Sequence, residues 1–183
     1  MKKVLIILAP GFEEIEALSV VDLLRRAGAD LMLAGTVDGV IRSKNNINVL
    51  ADDFIENISE NTYDMIVLPG GSIGTENLKK DERVKKILEI QHSRGGIIVA
   101  ICAAPSVLAR MGIISGKRVT SHPTVKDQLK NCNYSEERVV EDGNIITSRG
   151  PGTAIEFGFH LIERLYGPER VEEVNEGVLA ILR

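Results

Sequence analysis

The fold is decided by the stretch Ile97-Ile98-Val99-Ala100-Ile101-Cys102-Ala103-Ala104-Pro105. Its first five residues are continuously apolar, which is typical of a strand buried on both faces of a parallel sheet. Pro105 suits the first turn of a helix, where a backbone N–H would have no partner to lose. Cys102 is therefore predicted to occupy the sharp turn between a strand and a helix, a position that projects a nucleophile above the sheet.

Apolar runs and helical patterns alternate in both directions from this stretch. Val4 to Ala9 and Met65 to Leu68 are further apolar runs of strand length, and shorter strands are predicted around Val119, Val139 and Ile145. Further helices are predicted over Glu13 to Ala27, over Asp81 to Arg94, from near Pro151 with a capping box of Thr153 and Glu156, and from about Pro168 to Leu182. This alternation predicts a doubly wound α/β sandwich with a mostly parallel central sheet.

Length and composition limit the classes of function. The chain has 183 residues, which predicts one domain over 1–183, and its 44% apolar and 26% charged residues are ordinary for a folded protein. Its formal net charge of −4 provides no basic surface for phosphates, so we expect no direct nucleic-acid partner. No apolar stretch approaches the roughly 18–20 residues that span a bilayer, so we expect no membrane partner and a cytoplasmic location.

Cys102 is the first candidate for chemistry. The start of the following helix is expected to lower the pKa of its thiol, and the thiolate is the reactive form of a cysteine. An unreactive core residue is the alternative, because free cysteines are among the most often buried residues. The second cysteine, Cys132, lies in a polar loop with neither a strand end nor a helix start, and we expect no chemical role for it.

Glu16 is the second candidate because of its place on the first helix. Positions 16, 20, 23 and 27 share one helix face, and the other three are apolar, so the Glu16 carboxyl group is expected to point inward. Burial raises the pKa of a carboxyl group and lets it exchange protons near neutral pH. Alternatively, Glu13, Glu14 and Glu16 only stabilise the positive end of the helix, which is the preferred interpretation for Glu13 and Glu14.

Gly70, Gly71 and His122 are further candidates at strand ends. The two glycines follow a predicted buried strand, where amides without a neighbouring Cβ can donate to an oxyanion; a tight turn is an equally simple alternative. Of the three histidines, His122 is the best placed to partner Cys102, although no acidic residue is evident to orient it. The sequence has no phosphate-loop or dinucleotide fingerprint and no histidine and cysteine cluster with metal-ligand spacing, so we expect no cofactor and no metal.

Five motifs follow one another along the chain. They are Ala9-Pro10-Gly11-Phe12-Glu13-Glu14-Ile15-Glu16, Val67-Leu68-Pro69-Gly70-Gly71, Ala100-Ile101-Cys102-Ala103-Ala104-Pro105, His122-Pro123 and Ser148-Arg149-Gly150-Pro151-Gly152-Thr153. Together they resemble the ThiJ/PfpI superfamily, and most closely its branch that includes Parkinson disease protein 7. The resemblance runs from Lys3 to about Gly167 and is weakest over Val37 to Asn61.

This resemblance implies a flavodoxin-like α/β sandwich that forms a homodimer through an interface including the first helix. It also implies that Cys102 is the reactive thiol and that Glu16 is the carboxyl group bonded to it. Members of the branch are described as glutathione-independent glyoxalases, as deglycases of early glycation adducts, and as oxidative-stress sensors or chaperones. The superfamily's intracellular peptidases place a histidine directly after the cysteine, and Ala103 at that position makes a cysteine peptidase the least favoured function.

Two functions from different classes stay open. The first is a cofactor-free enzyme for small 2-oxoaldehydes, such as methylglyoxal or glyoxal, or for their early adducts. In that hypothesis Cys102 attacks the aldehyde, the amides of Gly71 and Ala103 stabilise the oxyanion, and Glu16 moves protons with His122 as an assistant. The second is a redox sensor or chaperone in which Cys102 is oxidised to a sulfinate that protonated Glu16 hydrogen-bonds.

Overall fold

A computed structural model describes residues 1–58 and 63–181 of the chain. They form eleven strands, which are β1 (Lys3–Leu8), β2 (Asp30–Gly35), β3 (Val40–Arg42), β4 (Asn48–Leu50), β5 (Asp53–Phe54), β6 (Met65–Leu68), β7 (Ile97–Ile101), β8 (Arg118–Val119), β9 (Asn133–Tyr134), β10 (Val139–Asp142) and β11 (Ile145–Ser148). They also form six α-helices, which are α1 (Glu14–Arg26), α2 (Ser72–Lys80), α3 (Glu82–Ser93), α4 (Pro105–Arg110), α5 (Ala154–Tyr166) and α6 (Pro168–Val178). In these described segments, no helix combines the length and the apolar content that a bilayer crossing requires.

Seven strands form the central sheet in the order β10-β11-β7-β6-β1-β2-β5. Every neighbouring pair is parallel except β10 and β11, which confirms the predicted α/β fold with a mostly parallel sheet. Val4 of β1 pairs with Met65 of β6, and Met65 pairs with Ile97 of β7. Because these three strands run in one direction, their carboxyl ends meet at the same edge of the sheet, where the loop before α1, the Gly70 loop and Cys102 converge.

Side chains of each central strand alternate between two apolar layers. On β1, Val4, Ile6 and Leu8 join the layer that contains the buried faces of α1 and α5. Leu5 and Ile7 join the other layer, which contains the buried faces of α3 and α4. Helices therefore cover both faces of the sheet, and this explains why the strand sequences are continuously apolar instead of alternating.

The predicted capping box of Thr153 and Glu156 is wrong. The Thr153 hydroxyl instead contacts the hydroxyl of Ser148 and the backbone of Gly150, and the Glu156 carboxylate pairs with Arg138. The physical reason is that the chain enters α5 through a 3₁₀ turn, which places the Thr153 contacts one turn earlier than the sequence spacing indicates.

The last helix ends earlier than predicted. It stops at Val178 because Leu179 takes a left-handed backbone conformation with φ of 58°. The Asn175 side chain closes this end by accepting a hydrogen bond from the Ala180 amide and donating one to the Ala180 carbonyl. The predicted end at Leu182 lies outside the described residues.

Replacement of a core aromatic residue tests the assignment of α5 to the first layer. Phe157 is fully buried there, so Phe157→Ala is expected to lower the free energy of unfolding by about 3–5 kcal/mol through cavity formation. Ile155→Ala is the control, because Ile155 is 40% exposed on the same helix and its truncation is expected to cost about 1 kcal/mol or less. Denaturant unfolding at one protein concentration measures both losses, and equal losses would contradict the assignment.

Candidate active site

Three loops from neighbouring strands are joined at the carboxyl edge of the sheet. The Glu13 amide, after β1, donates to the carbonyl of Gly70, after β6, at 3.1 Å. The Cys102 amide, after β7, donates to the carbonyl of Ser148 at the end of β11, at 2.9 Å. The loops that the sequence predicts to converge therefore do converge, and β11 adds a fourth strand end.

Cys102 forms the predicted turn between β7 and α4. Its φ is +64°, a left-handed conformation that residues other than glycine seldom adopt. Two backbone hydrogen bonds hold this conformation, one from its amide to Ser148 and one to its carbonyl from the His122 amide at 2.8 Å. The backbone amides of Gly71 and Ala103 act on the sulfur by lowering the pKa of the thiol. The thiol is therefore held in place and faces two backbone donors.

Glu16 reaches the thiol from α1. Its side chain is fully buried, and its Oε2 accepts a hydrogen bond from the Gly70 amide at 2.8 Å. The carboxyl group also interacts with the Cys102 thiol, and its Oε1 has no hydrogen-bond partner within the described part of the chain. Glu13 caps α1 by accepting from the Glu16 amide at 2.8 Å. The inward orientation predicted from helical spacing is confirmed.

Gly70 lies between the carboxyl group and the thiol. A Cβ atom at this position would lie 2.5 Å from Oε2 of Glu16 and 2.7 Å from Cβ of Cys102, which is too close for any side chain. The sequence predicts that the Gly70 amide donates to an oxyanion. The structure corrects this prediction, because the Gly70 amide donates to the Glu16 carboxyl group instead. Gly71 and Ala103 keep amides that point at the sulfur.

Burial sets the protonation of the pair. It raises the pKa of the Glu16 carboxyl group to about 7; the Glu13 charge adds to this rise, and hydrogen bonds from Cys102 and Gly70 oppose it. Burial also raises the pKa of the Cys102 thiol to about 12, and the Glu16 charge acts in the same direction. The pair therefore loses one proton near pH 7 and keeps the other into the alkaline range. Above neutral pH the resting form is a thiol beside a carboxylate.

The expected lowering of the thiol pKa by the helix start is wrong. The Gly71 and Ala103 amides do lower the pKa of Cys102, but desolvation and the Glu16 charge outweigh them. α4 is also short, with six residues, so its dipole is weak. At neutral pH the thiol therefore keeps its proton, beside the Glu16 carboxyl group.

His122 is attached to the site through its backbone. Its amide donates to the Cys102 carbonyl, and its ring Nδ1 lies 2.8 Å from the hydroxyl of Thr124. The ring also lies close to Gly150, since a Cβ there would be 3.6 Å from the imidazole Cδ2. Within residues 1–58 and 63–181, no carboxylate pairs with His122, so Thr124 is the group that orients the ring.

Glu14 does more than stabilise the helix end. It is buried and accepts hydrogen bonds from the Ser43 hydroxyl and from the amide and side chain of Asn45, which fasten α1 to the hairpin of β3 and β4. Although burial acts to raise it, the pKa of Glu14 is lowered by these hydrogen bonds together. Glu14 therefore stays charged as a structural anchor of the hairpin.

The other cysteine and one other histidine make structural contacts. The Cys132 thiol donates to the Ile114 carbonyl at 3.2 Å, and burial raises its pKa. His160 Nε2 lies 2.7 Å from a carboxylate oxygen of Glu141. In the two described segments, no three histidine, cysteine or acidic side chains gather into a group able to hold a metal ion.

Two contributors to the site were not predicted from sequence. The charge of Lys44 acts to lower the pKa of Glu16, and the Lys44 amide holds the hairpin to the Phe12 carbonyl at 2.8 Å. Its polar surroundings in the sequence give no periodic signal. Thr124 was also missed, although its spacing of two residues from His122 is typical of local side-chain hydrogen bonds.

The raised pKa of Glu16 predicts a pH-dependent stability. In the unfolded chain Glu16 loses its proton near its usual pKa of 4.5, whereas the folded protein keeps it to about pH 7. Between these values the folded state binds more protons, so the free energy of unfolding falls as pH rises, by about 3 kcal/mol for this group. The side chain of the Glu16→Gln variant does not titrate. The free energy of unfolding of the variant minus that of the unsubstituted protein is therefore expected to rise by that amount from about pH 4 to about pH 8.

Urea unfolding across this pH range measures the difference, and other titrating groups cancel because both proteins share them. A difference that stays constant with pH would contradict the raised pKa.

The chain matches the model of the DJ-1/PfpI family over residues 2–164. Protein dj-1beta of Drosophila melanogaster is 46% identical over 182 residues, which cover 97% of each chain. Glutathione-independent glyoxalase DJR-1.2 of Caenorhabditis elegans is 36% identical over 176 residues, which cover 94% of each chain.

Solved structures agree with this match. The crystal structure of Drosophila melanogaster DJ-1beta superposes with a TM-score of 0.95 at 44% identity and covers 98% of both chains. A structure of Toxoplasma gondii DJ-1 described as oxidized superposes with a TM-score of 0.94 at 37% identity, also over 98% of both chains. Motifs, fold and matches over nearly the whole length agree, and the chain therefore belongs to the DJ-1/PfpI family.

Proposed function

We propose that this chain is a cofactor-free cysteine enzyme that converts small 2-oxoaldehydes, such as methylglyoxal or glyoxal, into 2-hydroxy acids without glutathione. We include the early adducts of these aldehydes with amino and thiol groups among its substrates. The proposal is carried by the contact between the Glu16 carboxyl group and the Cys102 thiol, with the Gly71 and Ala103 amides directed at the sulfur. The glyoxalase named among its relatives supports the same class of reaction.

The first step is the addition of the thiol to the aldehyde. Ionised Glu16 takes the proton of Cys102 as the sulfur bonds to the aldehyde carbon, so a free thiolate never accumulates. The negative charge moves to the aldehyde oxygen, which the Gly71 and Ala103 amides stabilise. Glu16 then gives its proton to this oxygen, and the product is a neutral hemithioacetal.

The second step moves a hydrogen between adjacent carbons. The Glu16 carboxylate takes the proton from the carbon attached to sulfur and gives it to the neighbouring carbonyl oxygen, which forms an enediol. It then takes the proton of the hydroxyl group on the sulfur-bearing carbon and gives a proton to the neighbouring carbon. One carbon is oxidised and the other is reduced, so the rearrangement needs no external oxidant, reductant or cofactor. The product is a thioester between Cys102 and the 2-hydroxy acid.

The last step is hydrolysis of the thioester. Water attacks the thioester carbon, the acid leaves, and the proton returns to the Cys102 sulfur. We assign His122 as an assistant in this step, because its backbone is bonded to Cys102 and Thr124 fixes its ring. We propose that the His122 ring takes part directly in this hydrolysis.

We also propose that the protein forms a homodimer through α1 and the neighbouring hairpin. Three apolar side chains on these elements are 53%, 57% and 70% exposed, namely Ile15, Val40 and Leu50. Large apolar side chains exposed on neighbouring elements favour a protein partner. Anchoring of the hairpin to α1 by Glu14 makes the two elements one surface.

A redox sensor or chaperone is the second candidate function. In this alternative, peroxide oxidises Cys102 to a sulfinate, and protonated Glu16 together with the Gly71 and Ala103 amides hydrogen-bonds its oxygens. The raised pKa of Glu16 supports this alternative because a protonated carboxyl group is available near neutral pH. The related Toxoplasma protein was solved in a form described as oxidized.

The decisive measurement is the production of hydroxy acid from methylglyoxal without glutathione. We expect turnover by the unsubstituted protein, none by Cys102→Ser, and a fall of about 10²–10⁴-fold in kcat for Glu16→Gln through loss of the general base. Glu16→Asp is the matched control, since it keeps a carboxyl group on a shorter side chain. If one aldehyde is consumed per thiol and no acid is released, the enzyme proposal fails and the sensor becomes the favoured function.

The same reaction is expected to depend on pH through Glu16. The base must be ionised, so kcat/KM is expected to rise about tenfold per unit below pH 7 and to level off above it. The pH profile of kcat/KM for Glu16→Gln should lack the midpoint near pH 7, because the remaining group, the Cys102 thiol, has a pKa that burial raises. A profile with the same midpoint in both proteins would show that another group supplies the base.

Gly70→Ala tests whether the space between the two groups matters. The added methyl group would displace Glu16 or Cys102, and a displacement of about 1 Å is expected to lower kcat/KM about 100-fold. Gly152→Ala is the control, because a Cβ there meets no atom within 4 Å. Steady-state kinetics with methylglyoxal compare the two, and equal activities would refute the close contact at Gly70.

A further inference from the structure

A cavity of about 310 Å³ lies between α3 and the 3₁₀ turn that follows β5. Its apolar walls are formed by Ile55, Ile58, Ile66, Ile87 and Ile90. The volume is at the lower end of the range of about 300–1,000 Å³ that is usual for small-molecule sites. None of the residues of the candidate active site lines it, so this cavity is a separate place on the molecule.

The cationic side chains around the cavity differ in how they are neutralised. Arg83 lies 2.6 Å from Asp81 and 2.8 Å from Glu56, so carboxylates already compensate its charge. Arg94 donates to neutral acceptors, namely the Tyr63 carbonyl and the side-chain oxygen of Gln91.

Lys86 is the cation with a free ammonium group. In the part of the chain that the structure describes, its Nζ has neither an ion pair nor a hydrogen bond. Lys86, Ile87 and Ile90 lie within four positions of one another on α3, so the ammonium group and the apolar wall belong to the same helix face. The cavity thus combines an apolar interior with an uncompensated positive charge at its rim.

We propose that this cavity binds a small amphiphilic carboxylate, with its alkyl chain among the isoleucines and its carboxylate at Lys86. Removal of the chain from water provides the main driving force, and the ion pair fixes the orientation. A cationic amphiphile fits less well, because Arg83, Lys86 and Arg94 surround the cavity, and among its lining residues that the structure describes only Glu56 is acidic. The proposal does not depend on the activity assigned to Cys102.

Octanoate is the probe that tests this site. Octanoate is titrated into the protein, and binding is followed by calorimetry and by amide chemical shifts. The same titration into the Cys102→Ala variant excludes any reaction at the thiol. We expect saturable binding that is equal in both proteins, with shifts centred on α3, residues 55–58 and β6. Acetate, which lacks the chain, and octylammonium, which reverses the charge, are expected to bind at least about fivefold more weakly.

Two substitutions separate the charge from the apolar wall. Lys86→Glu and Ile90→Asn are each expected to weaken octanoate binding about fivefold, and both positions are exposed enough to leave the fold intact. Lys85→Glu is the matched control, because Lys85 carries the same charge on the same helix but pairs with Glu82 and does not line the cavity. Absence of saturable binding, equal binding of octylammonium, or equal weakening by Lys85→Glu would each overturn the proposal.

Discussion

The burial of the Glu16 carboxyl group is the constraint on which the site depends. An ionised carboxylate removed from water is costly unless it is paired or hydrogen-bonded. Glu16 receives one backbone hydrogen bond from Gly70 and one interaction with the Cys102 thiol, and among residues 1–58 and 63–181 no cation forms an ion pair with it. Its proton is therefore held until about pH 7, where it can be exchanged under ordinary conditions.

The fold satisfies this constraint with backbone more than with side chains. Three parallel strands end side by side. The Gly70 amide after β6 donates to the carboxyl group, and the amides of Gly71 and Ala103 act to lower the pKa of the thiol. The left-handed conformation of Cys102 carries a conformational cost of order 1–3 kcal/mol. Two backbone hydrogen bonds of Cys102 stabilise this conformation. The Cys102 thiol is thus held in position by backbone atoms, which side-chain substitutions do not replace.

The central sheet and the main site residues were predictable because their signals are local. The continuous apolar runs of β1, β6 and β7 report burial on both faces, and the helical spacing of Glu16 reports its inward orientation. The Cys102 turn follows from an apolar run that meets Pro105.

Other features depend on contacts between segments that are distant in sequence. The hairpin of β3 and β4 has three-residue strands and gives no periodic pattern, yet it carries Lys44 to the neighbourhood of Glu16. α2, whose sequence is largely polar, was not predicted for the same reason. The direction of the shift in the thiol pKa was also out of reach, because the burial and the Glu16 charge that decide it come from segments distant in sequence.

The two-residue length of β5 has a consequence for association through the sheet. A long unpaired edge strand can template pairing with another chain, and natural sheets commonly avoid this with short or charged edge strands. β5 offers only Asp53 and Phe54 in strand conformation, and the side chain of Asp53 bonds the Phe54 amide and Asn57. This edge therefore presents too little free backbone to recruit a further strand, and end-to-end growth of the sheet into fibrils is disfavoured there.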